Sequence, residues 1–225
     1  MKNLLFVVAI LVSTSFFAQN TVEKMVADFK EVKVFDKIQV TLIKSSETKV
    51  SIRGERKYEV KILEDEGVLI IRLETSERLD GEDTFVDVYY TNLEIIDTNE
   101  GSVITSKETI ISENLELKAQ EGGKIKVTIA SENVIVKSVS GGEVSASGAA
   151  KMQDITINSG GKYYAKDLQT ETTEVSVTAG GRAEIYVTET VDAKVTAGGN
   201  IKIFGNPKDI KKKKFAGGRI EIIEN

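Results

Sequence analysis

"VTAGGRAEIYV" (residues 177–187) and "VTAGGNIKIFG" (residues 195–205) are near copies of one another, each with a glycine pair set between valine- and isoleucine-rich runs. Glycine weakens a strand interior, because it costs backbone entropy and offers no side chain to pack. A pair reused at one spacing is therefore a device, either a chemical cradle or an architectural corner. The second glycines of the pairs are Gly123, Gly142, Gly161, Gly181, Gly199 and Gly218, in steps of 19, 19, 20, 18 and 19. Gly101 in "NEGSVI" reads as one earlier copy, 22 residues before Gly123, with Glu100 in place of the first glycine. Self-similarity at a period near twenty predicts a solenoid.

Each unit repeats one internal pattern. After the pair, apolar residues fall at even offsets: Ile125, Val127, Ile129; Val144, Ala146; Tyr163, Ala165; Ala183, Ile185, Val187; Ile201, Ile203; Ile220, Ile222. A short polar turn follows. A second alternating run then leads into the next pair, as in Ile155, Ile157, Ser159; Val175, Val177, Ala179; and Ala193, Val195, Ala197. Strict alternation puts these residues on one face of a strand and their neighbours on the other. The small residues just before the pairs (Ser140, Ser159, Ala179, Ala197, Ala216, with Glu121 departing) are expected to stack as an inward ladder beside a glycine corner. One unit cannot bury its own core, so neighbours must complete both the core and the hydrogen-bond ladders. The expected fold is all-β: a single-stranded parallel β-solenoid, or β-helix, of about 19-residue coils.

Before residue 99 the rhythm is looser. "FDKIQVTLIK" (residues 35–44), "KVSIRGE" (49–55), "YEVKILEDEGVLIIRLE" (58–74) and "FVDVYY" (85–90) alternate between charged turns. They are expected to be hairpin strands or irregular coils that cap the solenoid, since terminal units are atypical. The organisation expected is a signal peptide (1–18), an N-terminal β region (19–98) and a repetitive solenoid (99–225) sharing one core. The signal peptide is read from Lys2, the apolar run Leu4 to Val12, and small residues leading to a cut after Ala18. Export to the periplasm or the cell surface follows. No cysteine is present to carry a lipid anchor. No later stretch is long and apolar enough to span a bilayer as a helix.

Composition limits the chemistry. Histidine, cysteine and tryptophan are absent, which removes Ser–His–Asp and Cys–His nucleophiles, thiolates and imidazole-based zinc sites. A net charge of −5 with interspersed lysines gives no nucleic-acid footprint. The pairs lack the aspartate of a calcium β-roll and never lead into a helix as a phosphate loop would. No catalytic residue, cofactor or metal ligand is expected. The acidic clusters Glu64 to Glu66 and "DGED" (80–83) read as solvated turns rather than a metal loop or a glycosidase pair.

Two surface features remain. Lys211 to Lys214, beside the only proline, Pro207, read as protection of the solenoid's C-terminal edge, with attraction of an acidic polysaccharide as the other possibility. At the third outward position Tyr186 and Phe204 would stack in neighbouring coils with Tyr164 diagonal to them, a candidate binding patch.

The signal peptide, the "FDKIQVTLIK…KVSIRGE…VLIIRLE" opening and the "[ST]AGG"-like units together resemble the putative auto-transporter adhesin, head GIN domain family, a DUF2807-type domain of exported Bacteroidetes proteins. The resemblance covers residues 29–223. It implies a right-handed single-stranded β-helix displayed in the periplasm or at the surface, and it carries over no site residues. The function expected is a non-enzymatic binding module whose partner is an envelope protein or a glycan. The alternative is a polysaccharide-active enzyme using carboxylate and Lys or Arg chemistry.

Overall fold

The computed structural model describes residues 21–74 and 79–224. The expected signal peptide lies outside the described residues. Every regular element described is a β-strand.

The repeat is built on its turns. At Val139 to Gly142 the Gly142 amide donates to the Val139 carbonyl at 2.9 Å. Ser140 and Gly141 between them have φ of 49° and 74°, the pattern of a type I′ turn. The two glycines serve different ends. Gly141 supplies positive φ, and a Cβ there would meet nothing within 4 Å. Gly142 supplies space: its φ lies outside the left-handed region, but a Cβ would sit 2.1 Å from the Ala119 carbonyl oxygen of the preceding coil. The pair is a corner, as the periodicity implies.

Two details of the expected corner are corrected. Ser140, Ser159, Ala179, Ala197 and Ala216 form no inward ladder. They are exposed, each at positive φ in the outer position of its turn, because the tight turn swings that side chain away from the core. The earlier copy is also shifted by one residue. Gly101, at φ 72°, occupies the first glycine position, and Ser102 replaces the second, since Val103 pairs with Lys124. Ser102 fits the crowded place by tying its hydroxyl to the Val34 carbonyl at 3.0 Å and the Asn99 carbonyl at 2.7 Å.

Strands of 15 to 17 residues run from one corner to the next: β11 (Lys124–Ser138), β12 (Glu143–Ile157), β13 (Lys162–Thr178) and β14 (Arg182–Thr196). Each bends midway, so its first half joins a post-turn sheet and its second half a pre-turn sheet. Neighbours pair parallel and in register, as in Lys124 opposite Glu143 and Ile155 opposite Val175. The inward residues of β14, Ala183, Ile185, Val187, Val191, Ala193 and Val195, are fully buried. One continuous apolar core extends from Val26 to Ile203.

The N-terminal strands contain both of the forms their alternation allows. Strands β2 (Glu31–Val34) and β3 (Gln39–Lys44) form one coil, β6 (Val68–Leu73) and β7 (Thr84–Tyr90) a second, and β8 (Ile95–Thr98) and β9 (Val103–Ser106) a third. Their order in space departs from chain order. β2 pairs with both β6 and β8, and β3 with both β7 and β9, all parallel. The β2–β3 coil is therefore sandwiched between two coils made later in the chain. The outer end is closed by antiparallel strands: β5 (Val60–Asp65) on β6, then β4 (Lys49–Gly54) on β7 and β1 (Val22–Met25) on β4. Strand β10 (Ile110–Ala119) joins β8 to β11.

The far end consists of β15 (Asn200–Phe204), β16 (Asp209–Phe215) and β17 (Arg219–Ile222). Among the described residues β16 pairs only with β14, and β17 only with β15, which makes both edge strands. Lys212 and Lys214 fall opposite Ala193 and Val195, which makes them charges at inward positions. That is a recognised block to edge-to-edge pairing.

Candidate functional site

A parallel, in-register sheet places identical strand positions in columns about 4.8 Å apart. The outer surface of the post-turn sheet therefore depends on which residues the coils bring to each column. Glu143 meets Lys162 at 3.6 Å and Glu184 meets Lys202 at 3.5 Å, which gives much of this face the paired charges of a solvated sheet.

The face changes character between β9 and β14. Here a groove of about 610 Å3 opens, with Lys126, Ser145, Ser147, Tyr164, Lys166 and Glu184 in its walls. Hydroxyls line its floor: Thr128 and Ser147 bond at 3.0 Å, and the Thr128 amide donates to Ser106 Oγ at 3.3 Å. One wall is a bulge. Ala165 pairs with Ile185, but the next paired residue, Gln169, meets Tyr186, so residues 166–168 are extra. Leu168 is buried while Lys166 and Asp167 are exposed beside the groove. The signal for the bulge was the 20-residue step from Gly161 to Gly181. The hydroxyl floor had no such signal, since serine and threonine occur at outward positions throughout.

Of the three aromatics singled out from the sequence, Tyr186 and Phe204 stand directly opposite each other in neighbouring strands, and Tyr164 is opposite Glu184. All three are half-buried. The Tyr186 ring closes on Gly205, where an added Cβ would be 2.8 Å from ring carbon Cε1. Tyr186 and Phe204 thus stand as neighbours beyond the bulge, and of the three only Tyr164 lines the groove.

Several other titratable groups have structural partners. The buried Tyr163 hydroxyl donates to Gln153 Oε1 at 3.0 Å, and Gln153 Nε2 donates to Thr170 Oγ1 at 3.1 Å. Burial pushes the Tyr163 phenol far up, so it stays protonated. On the pre-turn sheet burial raises the Glu116 carboxyl, but Lys137 at 2.9 Å and Lys118 at 3.3 Å outweigh it and hold that group below the usual carboxylate range. The acidic clusters are engaged too. Glu64 accepts from the Ala27 amide at 2.7 Å, Asp80 pairs with Arg56, and Glu82 pairs with Lys37 at 2.7 Å. Among the described residues no three acidic side chains converge to hold a metal ion. No helix among them is long and apolar enough to cross a membrane.

Residues 28–207 match the family described as putative auto-transporter adhesin, head GIN domain. Among solved structures, a putative adhesin from Bacteroides fragilis NCTC 9343 superimposes with a TM-score of 0.82 at 19% identity, over 90% of this chain and 96% of its own. A putative adhesin from Parabacteroides distasonis ATCC 8503 gives 0.67 at 21% identity, over 91% and 96%. A protein from the same strain described as a putative lipid binding protein gives 0.66 at 17% identity, over 91% and 96%. At these identities the likeness concerns the fold. A comparison with curated proteins finds no match.

Proposed function

Because the chain belongs to the putative auto-transporter adhesin, head GIN domain family, we propose that it is a non-enzymatic binding module working at the cell envelope, and that its groove holds a glycan. The groove carries this reading. It combines hydroxyls, both signs of charge and the half-buried Tyr164 ring on a parallel sheet beside a bulge. Sugars present the complementary chemistry: hydroxyls for the serine, lysine and glutamate side chains, and apolar ring faces for an aromatic. A largely pre-formed concave site with few convergent polar groups is the usual setting for a small ligand. The solved relatives named as adhesins support the same reading.

Isothermal titration of the chain against neutral and acidic envelope polysaccharide fragments tests it. A fragment that binds should lose roughly tenfold or more of its affinity in Tyr164→Ala, in line with loss of a central anchor. Tyr186→Ala and Phe204→Ala should weaken binding only if the ligand reaches past the bulge. Affinity unchanged by Tyr164→Ala and Lys126→Ala would remove the groove as the site. Shortened polysaccharide products would instead favour an enzyme, with Asp167 and Glu184 as its carboxylates.

A further inference from the structure

The C-terminal end of the stack carries more positive charge than edge protection requires. Lys211 to Lys214 lie on the edge strand β16, with Lys194 opposite Lys213 on β14. None of the described ion pairs includes any of these lysines, although twelve other lysines do pair. Asp192 stands opposite Lys211 and is the nearest counter-charge in register. Lys194 opposite Lys213 is a like-charge pair, which a sheet face ordinarily avoids because it is destabilising. Blocking the edge needs only Lys212 and Lys214 at their inward positions. It does not account for Lys213 beside Lys194, two lysines that share a hollow with Asp154, Glu174 and Asp192. Nor does it explain Phe215, which is 73% exposed at the end of the same strand, or Ile222, 38% exposed on β17.

We propose that this end of the solenoid docks on an anionic lipid surface, with Lys194 and Lys211 to Lys214 facing the headgroup phosphates and Phe215 entering the interface. The chain has a net charge of −5, yet five lysines outside the described ion pairs gather at this one end, and such a basic cluster on an acidic body favours an end-on approach to a negative surface. Lysine stems reach an interface while their ammonium groups stay solvated. An exposed aromatic beside a basic run is what a lipid interface rewards. A soluble polyanion would use the lysines and leave Phe215 idle. The strand begins beyond residues 28–207, the span matched by the family, and the inference is independent of the glycan reading of the groove.

Co-sedimentation of the whole chain with vesicles tests it. Vesicles of phosphatidylglycerol and phosphatidylethanolamine should pellet the protein, and vesicles of phosphatidylcholine should not. Raising salt from about 0.1 M to about 0.5 M should release it, as screening shortens the reach of the lysines. A lysine near an anionic surface contributes about fivefold, so Lys211→Gln with Lys213→Gln should weaken binding roughly 25-fold. Phe215→Ser should weaken it several-fold and leave the salt dependence unchanged. All three residues are exposed on an edge, and unchanged strand circular dichroism will confirm that the variants fold. The proposal is overturned if anionic vesicles fail to pellet the chain or if phosphatidylcholine pellets it equally. It is also overturned if Phe215→Ser binds as well as the native chain while soluble heparin strips the protein from vesicles, the result expected of a site for soluble polyanions.

Discussion

Replacing either glycine of one corner by alanine should have unequal effects, and the inequality follows from the coil spacing. In Gly142→Ala the new Cβ would lie 2.1 Å from the Ala119 oxygen and must reach about 3.4 Å for ordinary contact, so the coils must part locally by 1.3 Å. Two hydrogen bonds cross that gap, Val139 N to Ala119 O at 3.0 Å and Glu143 N to Gly123 O at 2.9 Å. The same movement takes both past the 3.5 Å limit. Losing them costs about 1 kcal/mol each, and residual overpacking adds about 1–3 kcal/mol. The expected loss is about 3–5 kcal/mol. In Gly141→Ala nothing lies within 4 Å of the new atom. The left-handed conformation costs about 1–2 kcal/mol, partly offset by the stiffer unfolded chain. Urea unfolding followed by circular dichroism measures both variants. Amide exchange at Val139 and Glu143 reports the local opening, since a solenoid can unfold in parts. If Gly141→Ala is the more damaging of the two, the division of labour within the pair is wrong.

Glu100 sits beside the buried Asp36, whose carboxylate accepts from the Leu73 amide at 3.0 Å and the Leu79 amide at 3.3 Å. Burial raises the Glu100 pKa, and so do a shared hydrogen bond with Asp36 and the charges of Asp36 and Glu121, against a smaller opposing effect of Arg72. A carboxyl raised in the folded state contributes stability that is present in acid and lost as pH rises through its folded pKa. Glu100→Gln should therefore stabilise the protein at pH 7, by on the order of 1 kcal/mol for one restored hydrogen bond, with the gain vanishing near pH 4. Thermal melts at both pH values decide it, and an equal shift at each would refute the electrostatic cause. Lys212→Val with Lys214→Val should convert a guarded end into an adhesive one, because both positions continue the buried column of Ala193 and Val195. Sedimentation velocity should show concentration-dependent association. A monomer at every concentration would mean that the lysines do not guard the edge.

The repeating half was legible in the residues because its two signals are local. Alternation such as Ala183, Ile185, Val187 names the buried face directly, and those side chains are buried. A glycine pair every 18 to 20 residues marks each corner from Gly122 and Gly123 onward. The residue ahead of the pair was misplaced because counting by twos through Ala193, Val195 and Ala197 carries the inward face one step too far. The chain has already entered the left-handed turn at Ala197, with φ of 56°, and the alternation ends there. Of the candidate site, the pairing of Tyr186 with Phe204 follows from the period alone. The groove beside Tyr164 does not, since it depends on how three extra residues divide between the buried Leu168 and the exposed Lys166 and Asp167.

By itself the sequence determined the architecture of a coil. Period, alternation and turn chemistry act within about twenty residues, and stacking identical units leaves each strand only the coils directly before and after it as partners. The tertiary structure decided everything that requires two distant segments to choose each other. It put β2 and β3 between coils made later in the chain, a choice invisible locally because any of these alternating strands could pair with any other. It also gathered Lys194 and the lysines of β16 on one end, and the groove's hydroxyls on one face. Those placements depend on register between coils, and a shift of one residue would send each side chain to the opposite side of the sheet.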